Sequence, residues 1–282
     1  MQRVGLSGVS VPVALAVPQG AVRGGLVALH PAGEPSRNQP LLRHLAEVLP
    51  SQGVAVLLHD RRPAVEPFGA VPLRLQADDA QAIAGALRDV VGPVRLGFWG
   101  WSQGAWAAAL AAVEADSTAF LVLVGAAGVS PAEQMRWAVS HQLRHEGYGD
   151  SDVATAMSAR GIYEAAVRGM ADSADAQAAL DDVAQQPWGA LAGLPLRFRG
   201  PGSWSDMDFD PVPVFERVKC PVLAVWGDAD PWIPVDDSEA ALRHALGDRL
   251  SVLRLPATGH GPNATDSTYE AALVAHVVNA LA

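Results

Sequence analysis

The stretch Gly100-Trp101-Ser102-Gln103-Gly104 constrains this chain more than any other. It has the form G-x-S-x-G, and its two flanks give it structural meaning. An apolar run, Pro93-Val94-Arg95-Leu96-Gly97-Phe98-Trp99, leads in and predicts a buried strand. An alanine-rich run, Ala105-Trp106-Ala107-Ala108-Ala109-Leu110-Ala111-Ala112, leads out and predicts a helix. A serine between them sits on a sharp strand-to-helix turn. The outer glycines are expected because side chains there would collide with the strand and the helix. Such a turn pushes the serine out at the end of the strand, at the positive N-terminus of the helix.

The remaining pattern says what this turn is embedded in. Strand-like and helix-like runs alternate, as they do in a parallel sheet covered on both faces. Val9 to Val17 alternates polar and apolar residues and predicts an edge strand. Gly25–His30 predicts a short buried strand, and Val54–Leu58, Phe120–Val124, Pro221–Trp226 and Leu250–Leu255 predict further strands. Helices are expected from about Gln39 to Leu49, from Leu73 to Val91 with Ala80, Ile83, Ala84 and Leu87 on one face, from Asp236 to Leu246, and from Tyr269 to Leu281. Between about Ser130 and Pro213 the alternation stops. That segment is helical in composition and rich in Ala, Asp and Gln. It carries Met135, Trp137, Tyr148, Met157, Tyr163, Met170, Trp188, Trp204, Met207 and Phe209. The reading is an α/β core of residues 1–129 and 214–282 with a helical insertion, 130–213. Two uses of the insertion's aromatics are open: a core of its own, or a lid over the site, since ligands of open α/β sheets bind beyond the carboxyl ends of the strands.

Composition excludes several classes. Half of the 282 residues are hydrophobic, 18% are charged, and the formal net charge is −10. That composition supports a large core. The 20 Lys and Arg residues form no basic stripe, so neither nucleic acid nor an anionic membrane is an expected partner. The expected partner is a small-molecule substrate, and the sequence sets no oligomeric state. The lone Cys220 permits no intrachain disulfide and reads as a small apolar residue entering a strand. The first residues, Met1-Gln2-Arg3-Val4-Gly5, lack the pattern of a signal peptide, and no apolar span is long enough to cross a bilayer. A soluble cytoplasmic protein is the expectation. There is no H-E-x-x-H, no Walker loop and no G-x-G-x-x-G after the first strand, so no metal or cofactor is expected.

A serine hydroxyl becomes a useful nucleophile only when a base takes its proton. The usual base is a histidine oriented by a carboxylate. Loops that follow strands are where such groups meet. Asp230 lies just beyond the strand ending at Trp226, in Gly227-Asp228-Ala229-Asp230-Pro231-Trp232-Ile233-Pro234. Asp228 competes with it as the acid, or else holds turn amides. Asp206 and Asp208 in the insertion are further alternatives. His260 follows the strand ending at Leu255, between Gly259 and Gly261, and is the candidate base. His244 and His276 also follow Asp230 but fall on helices, while His141 and His145 precede it.

The oxyanion formed on attack needs fixed donors. The expected ones are the backbone N–H of Gln103 and an amide in the loop His30-Pro31-Ala32-Gly33-Glu34-Pro35-Ser36. Pro31 has no N–H, which leaves Ala32. His59-Asp60-Arg61-Arg62 reads as a structural Asp–Arg pair bracing that loop. Asp78 and Asp79 read as a solvated helix face or as N-terminal charge preference. Trp101, Trp137, Trp204 and Trp232 are candidate substrate contacts. Arg136, Arg144, Arg160 and Arg168 read as scattered, with no paired arginines for a carboxylate or phosphate.

Three patterns together resemble the α/β-hydrolase superfamily over nearly the whole chain: His30-Pro31-Ala32-Gly33, the serine pentapeptide, and Gly227-Asp228-Ala229-Asp230 followed by Gly259-His260. Phe98-Trp99-Gly100-Trp101-Ser102-Gln103-Gly104 and Asp60-Arg61-Arg62 are similar to lidded carboxylesterases of the dienelactone-hydrolase and serine-aminopeptidase-like branch. Pro31 departs from the His-Gly-x-Gly form, and Ser102 stands where the dienelactone hydrolases carry cysteine. The resemblance implies an α/β-hydrolase fold, the chain order Ser102, Asp230, His260, and cleavage of an ester, thioester or amide through an acyl-serine. The reading it favours is a carboxylesterase acting on a small apolar ester. Two alternatives stand beside it: an acyltransferase, thioesterase or cyclase using the same triad, and a ligand-binding or non-hydrolytic protein on the same fold.

Overall fold

Leu26 and Ala28 face one side of a central sheet while Val27 and Leu29 face the other, the period-two alternation of a strand covered on both faces. These residues belong to a computed structural model that describes residues 2–33, 35–65, 71–115 and 117–282. Met1, and Glu34 of the His30–Ser36 loop, lie outside the described residues.

Eight strands form the sheet: β1 (Arg3–Leu6), β2 (Val9–Ala16), β3 (Gly24–Leu29), β4 (Val54–His59), β5 (Arg95–Trp101), β6 (Leu121–Val124), β7 (Val222–Gly227) and β8 (Leu250–Leu255). Their order is β1-β2-β4-β3-β5-β6-β7-β8. β1–β2 and β2–β4 pair antiparallel, and every other pair is parallel. The sequence pattern named β2 as the edge. The structure adds β1 outside it, a strand too short and too polar to stand out in the sequence.

Helices α1 (Pro40–Val48), α2 (Leu73–Val91), α3 (Gln103–Glu114), α8 (Val235–Leu246) and α9 (Ser267–Leu281) cover the two faces. Ile83 and Leu87 of α2 pack with Val27 and Phe98 on one side. Leu42 and Leu45 of α1 and Leu273 and Val277 of α9 pack with Leu26 and Val56 on the other. All of these are almost fully buried, and burying such a side chain contributes on the order of 1.5–3 kcal/mol.

Between β6 and β7 the chain forms α4 (Pro131–His145), α5 (Asp150–Val167), α6 (Ser173–Ala184) and the short α7 (Val212–Arg217). Among the described residues no strand interrupts them. Ser130 starts α4 with a reciprocal cap. Its hydroxyl accepts from the Glu133 amide, and the Glu133 carboxylate accepts from the Ser130 amide. The helices bury two apolar clusters of their own, one around Val139, Leu143 and Trp188, the other around Tyr163, Leu180 and Met207. Several of the segment's large groups therefore serve this local core.

The arginines that looked scattered in the sequence converge in space. Arg136, Arg160 and Arg168 all approach the carboxylate of Glu164, which has no solvent exposure. Helical spacing brings Arg160 and Arg168 onto one face with Glu164, and packing of α4 on α5 brings Arg136. A buried carboxylate needs such partners, because stripped of them it carries an uncompensated desolvation cost. Arg144 stays apart, beside Asp150.

Candidate active site

Strand order positions the site. β3 and β5 are hydrogen-bonded neighbours, with Leu29 beside Gly100. The loop after β3 and the turn after β5 therefore emerge side by side. β3 runs on through α1 to β4 on one flank, and β5 runs on through α3 to β6 on the other, so the chain diverges here. That divergence opens a crevice at the carboxyl ends of the strands.

Ser102 occupies the turn with φ 54° and ψ −120°, a conformation that costs a non-glycine residue free energy. The flanking glycines make it possible. A Cβ on Gly100 would lie 2.2 Å from the Gly104 carbonyl oxygen, and one on Gly104 would lie 2.5 Å from the His30 carbonyl oxygen. The Ser102 amide donates to the Val124 carbonyl at 2.8 Å, which fixes the turn to β6. Gln103 is the first residue of α3, so its amide is one of the first-turn N–H groups with no intrahelical acceptor.

Asp230 and His260 come together from the loops after β7 and β8. His260 Nδ1 lies 2.9 Å from Asp230 Oδ2 and 3.0 Å from Oδ1. The Asp230 side chain is fully buried, and its Oδ1 also accepts from the amides of Trp232 at 2.8 Å and Ile233 at 3.2 Å. These donors satisfy the hydrogen-bonding capacity of a side chain that water does not reach. On the other side, the Trp101 indole donates to the His260 carbonyl at 2.7 Å. Asp228 points elsewhere: it pairs with Arg254 at 2.6 Å and is exposed. Asp208 pairs with Arg168, and Asp206 accepts from the Leu73 amide at 2.8 Å. Of the four acids weighed in the sequence, Asp230 is the one within hydrogen-bond distance of His260. His244 lies on α8 and His276 on α9, as their helical spacing suggested.

Ser102, Gln103, Ala32 and His260 all line one cavity of about 510 Å³. Its wall also includes Leu73, Trp101, Trp106, Gln134, Met135, Trp204, Asp206 and Trp232. Three of the four tryptophans expected at the substrate are therefore there. Trp137 is not. It stacks on His141 with ring centroids 4.6 Å apart and lines a separate cleft beside Asp228 and Arg254. Residues 135 and 137 of a helix point about 200° apart, so Met135 turns to the cavity and Trp137 away from it. Trp106 takes the place that was expected of Trp137. It had read only as part of an alanine-rich helix.

The acidic and basic residues after β4 need correction. Asp60 pairs with Arg37 at 2.6 Å, not with its neighbouring arginines. Arg62 pairs with Asp79, through Nε to Oδ2 at 2.6 Å and a second contact between Nη2 and Oδ1. Asp79 is therefore buried rather than on a solvated face; only Asp78 is exposed. Among the described residues, it is Arg61 whose side chain reaches the carbonyls of the loop. It donates to the carbonyls of Pro31 at 2.9 Å and Gly33 at 2.7 Å, and to the side chain of Gln103 at 3.3 Å. Gln76 donates to the same Gln103 oxygen at 3.3 Å. One guanidinium thus ties both expected oxyanion donors to one frame. Nothing in the local sequence announces the role of Gln76, because α2 reaches it only through tertiary packing.

Two other titratable groups are set apart by burial. His30, beneath the same loop, is held well below the usual histidine range by desolvation, reinforced by His59 and Arg61. The Cys220 thiol is raised to about 11 by burial, so it stays protonated and unreactive. Among the described residues no helix is long and apolar enough to cross a membrane.

No protein-family model matches the chain, and no curated protein matches it in sequence. Solved structures do match it. A thermophilic esterase from Thermogutta terrifontis is 17% identical, with a TM-score of 0.60 and all of both chains covered. A thermostable carboxyl esterase from Bacillus coagulans is 17% identical at a TM-score of 0.63, covering 97% of this chain and 95% of its own. The proline iminopeptidase of Mycobacterium smegmatis is 18% identical at 0.61, covering 99% and 97%. At such identities the likeness is one of fold, and ester and peptide chemistry both occur on it.

Proposed function

The chain has the α/β-hydrolase fold, and from that premise we propose that it is a serine hydrolase cleaving esters of small substrates through an acyl-serine. The observation that carries this reading is the bond from His260, on the wall of the cavity that holds the strained Ser102, to a buried, doubly amide-bound Asp230 behind it. In this reading Asp230 accepts a hydrogen bond from His260 Nδ1–H and so fixes the tautomer that leaves Nε2 free as base. Ser102 Oγ attacks the ester carbonyl as Nε2 takes its proton. The negative charge passes to the carbonyl oxygen, between the amides of Gln103 and Ala32 and near the positive end of α3. Nε2 then returns the proton to the departing alcohol. Water, deprotonated by the same nitrogen, releases the acid and restores Ser102.

The helical segment fits the role of a lid, since Gln134, Met135, Trp204 and Asp206 form part of the cavity wall. A mostly apolar wall of this size suits a small substrate with an apolar body. A fluorophosphonate probe reads the nucleophile directly. Intact mass after labelling should show one adduct, absent in Ser102→Ala; an unlabelled wild type would overturn the reading.

Arg61 acts in this scheme by position, since it touches the oxyanion loop rather than the substrate. Arg61→Met keeps the apolar stem and removes the three donations. It should lower kcat roughly ten- to a hundredfold with KM little changed, the cost of displacing the oxyanion donors. A matching loss confined to KM would show that Arg61 shapes binding instead.

A further inference from the structure

Two of the tryptophans lining the cavity at Ser102 belong to its acid–base side. The Trp101 indole donates to the His260 carbonyl at 2.7 Å, and its ring centroid lies 6.1 Å from that of the imidazole. Gly261 allows the close approach: a Cβ there would lie 3.0 Å from Trp101 Cε2 and Cζ2. The N–H is the one polar group of an indole, and here it is engaged with the His260 loop, so what Trp101 offers a substrate is carbon. Trp232 is held through its backbone. Its amide donates to Asp230 Oδ1 at 2.8 Å, and its carbonyl accepts from the Gln134 side chain at 3.3 Å. Its side chain stays 38% exposed. A large ring left partly in water, on a fixed backbone beside the reacting centre, presents a preordered face to a ligand.

The order of proton transfers decides which part of a substrate meets these two rings. His260 Nε2 must hand its proton to the departing alcohol, so the alcohol lies beside His260 while the acyl group stays on Ser102. From this placement we infer that the substrate is an ester whose alcohol carries an aromatic ring, packed against the indoles of Trp101 and Trp232. The inference rests on the serine-hydrolase reading above and names the leaving group of that reaction. An aromatic ring has a positive edge and a negative face. It therefore gains a directed contact with an indole, edge to face or offset-stacked, that a saturated ring lacks.

The test compares the benzyl and cyclohexylmethyl esters of butanoic acid. Both give the same acyl-serine, so a difference in kcat/KM reads the alcohol side. Rates are referred to hydroxide-catalysed hydrolysis of each ester. The saturated ring is bulkier and more apolar, so burial alone favours the cyclohexylmethyl ester. Contact with indoles reverses the sign: wild type should prefer the benzyl ester by roughly five- to tenfold, the order of one or two aromatic pairs. Trp232→Leu keeps the backbone amide that Asp230 accepts from, and should bring the ratio to about twofold or less. Trp137→Leu, in the separate cleft, should leave the ratio at its wild-type value.

A second measurement does not need turnover. By equilibrium dialysis, Ser102→Ala should bind benzyl butanoate more tightly than the cyclohexylmethyl ester, and Trp232→Leu added to Ser102→Ala should erase that difference. Cleavage of both esters with no benzyl preference, or with a preference retained in Trp232→Leu, would overturn the aromatic site and leave the hydrolase reading intact. So would a ring preference that appears between phenylacetyl and cyclohexylacetyl esters of one alcohol and not in the benzyl series, since the ring would then lie on the acyl side. Failure to cleave either ester, with the binding difference present, would count against the hydrolase reading and leave the aromatic site standing.

Discussion

Asp230→Asn is expected to lower kcat by about four orders of magnitude, and Asp228→Asn to change it by less than about tenfold. The two acids are two residues apart in one loop, so the contrast is a sharp test. Asp230 is buried and accepts three hydrogen bonds, from the amides of Trp232 and Ile233 and from His260 Nδ1. An asparagine there presents either an oxygen or an NH₂ to the ring. With the NH₂ facing His260, Nδ1 must become the acceptor, Nε2 then carries the proton, and the base is lost. Asp228 is exposed and engaged with Arg254. Surface pairs of this kind contribute about 0–1 kcal/mol, so its loss should register weakly in stability and little in rate. Steady-state kinetics on one activated ester, with circular dichroism to establish folding, measures both. Equal losses in the two variants would sink the assignment of Asp230.

Gly100→Ala and Gly104→Ala should each destabilise the fold by more than about 4 kcal/mol, or prevent folding, a magnitude reserved for severe backbone conflicts. The new Cβ at residue 100 meets the Gly104 carbonyl at 2.2 Å and the Ala105 Cα at 2.7 Å. At residue 104 it meets the His30 and Leu29 carbonyl oxygens at 2.5 and 2.7 Å. Each of these atoms is backbone and has no rotamer by which to yield. Gly85, within α2, is the control: no atom lies within 4 Å of its added Cβ. Gly85→Ala should therefore stabilise by roughly 0.5–1 kcal/mol, the helix preference for alanine. Urea denaturation of the three variants reads both signs on one scale. Stability in Gly100→Ala close to wild type would mean that the turn is less tightly closed than its atoms suggest.

The same two glycines show how much was legible before any coordinates. A pentapeptide with a strand before it and a helix after it names a local geometry, and local geometry follows from residues adjacent in sequence. Strands β3, β4, β6 and β7 were readable for a similar reason: every residue in them is buried, and a strand buried on both faces is a nearly continuous apolar run. β1 was not, because a four-residue strand with two exposed positions carries little pattern. Asp230 and His260 were readable as candidates because chain order and post-strand placement are one-dimensional facts. Their meeting is not, since it depends on β7 lying next to β8.

What the sequence determined by itself is therefore the class of fold, the serine turn and a short list of acids and bases. What only the tertiary structure decided is partnership. Asp79 could look solvated until Arg62 reached it across 17 positions, and three arginines could look scattered until α4 and α5 packed around Glu164. Arg61 reached the loop after β3, and Trp106 rather than Trp137 came to line the cavity with Ser102. The physical reason is common to these cases. Hydrophobic periodicity is local and survives in a single string of letters. The partner of a charge, or the direction of a ring, depends on which distant segment packs against it.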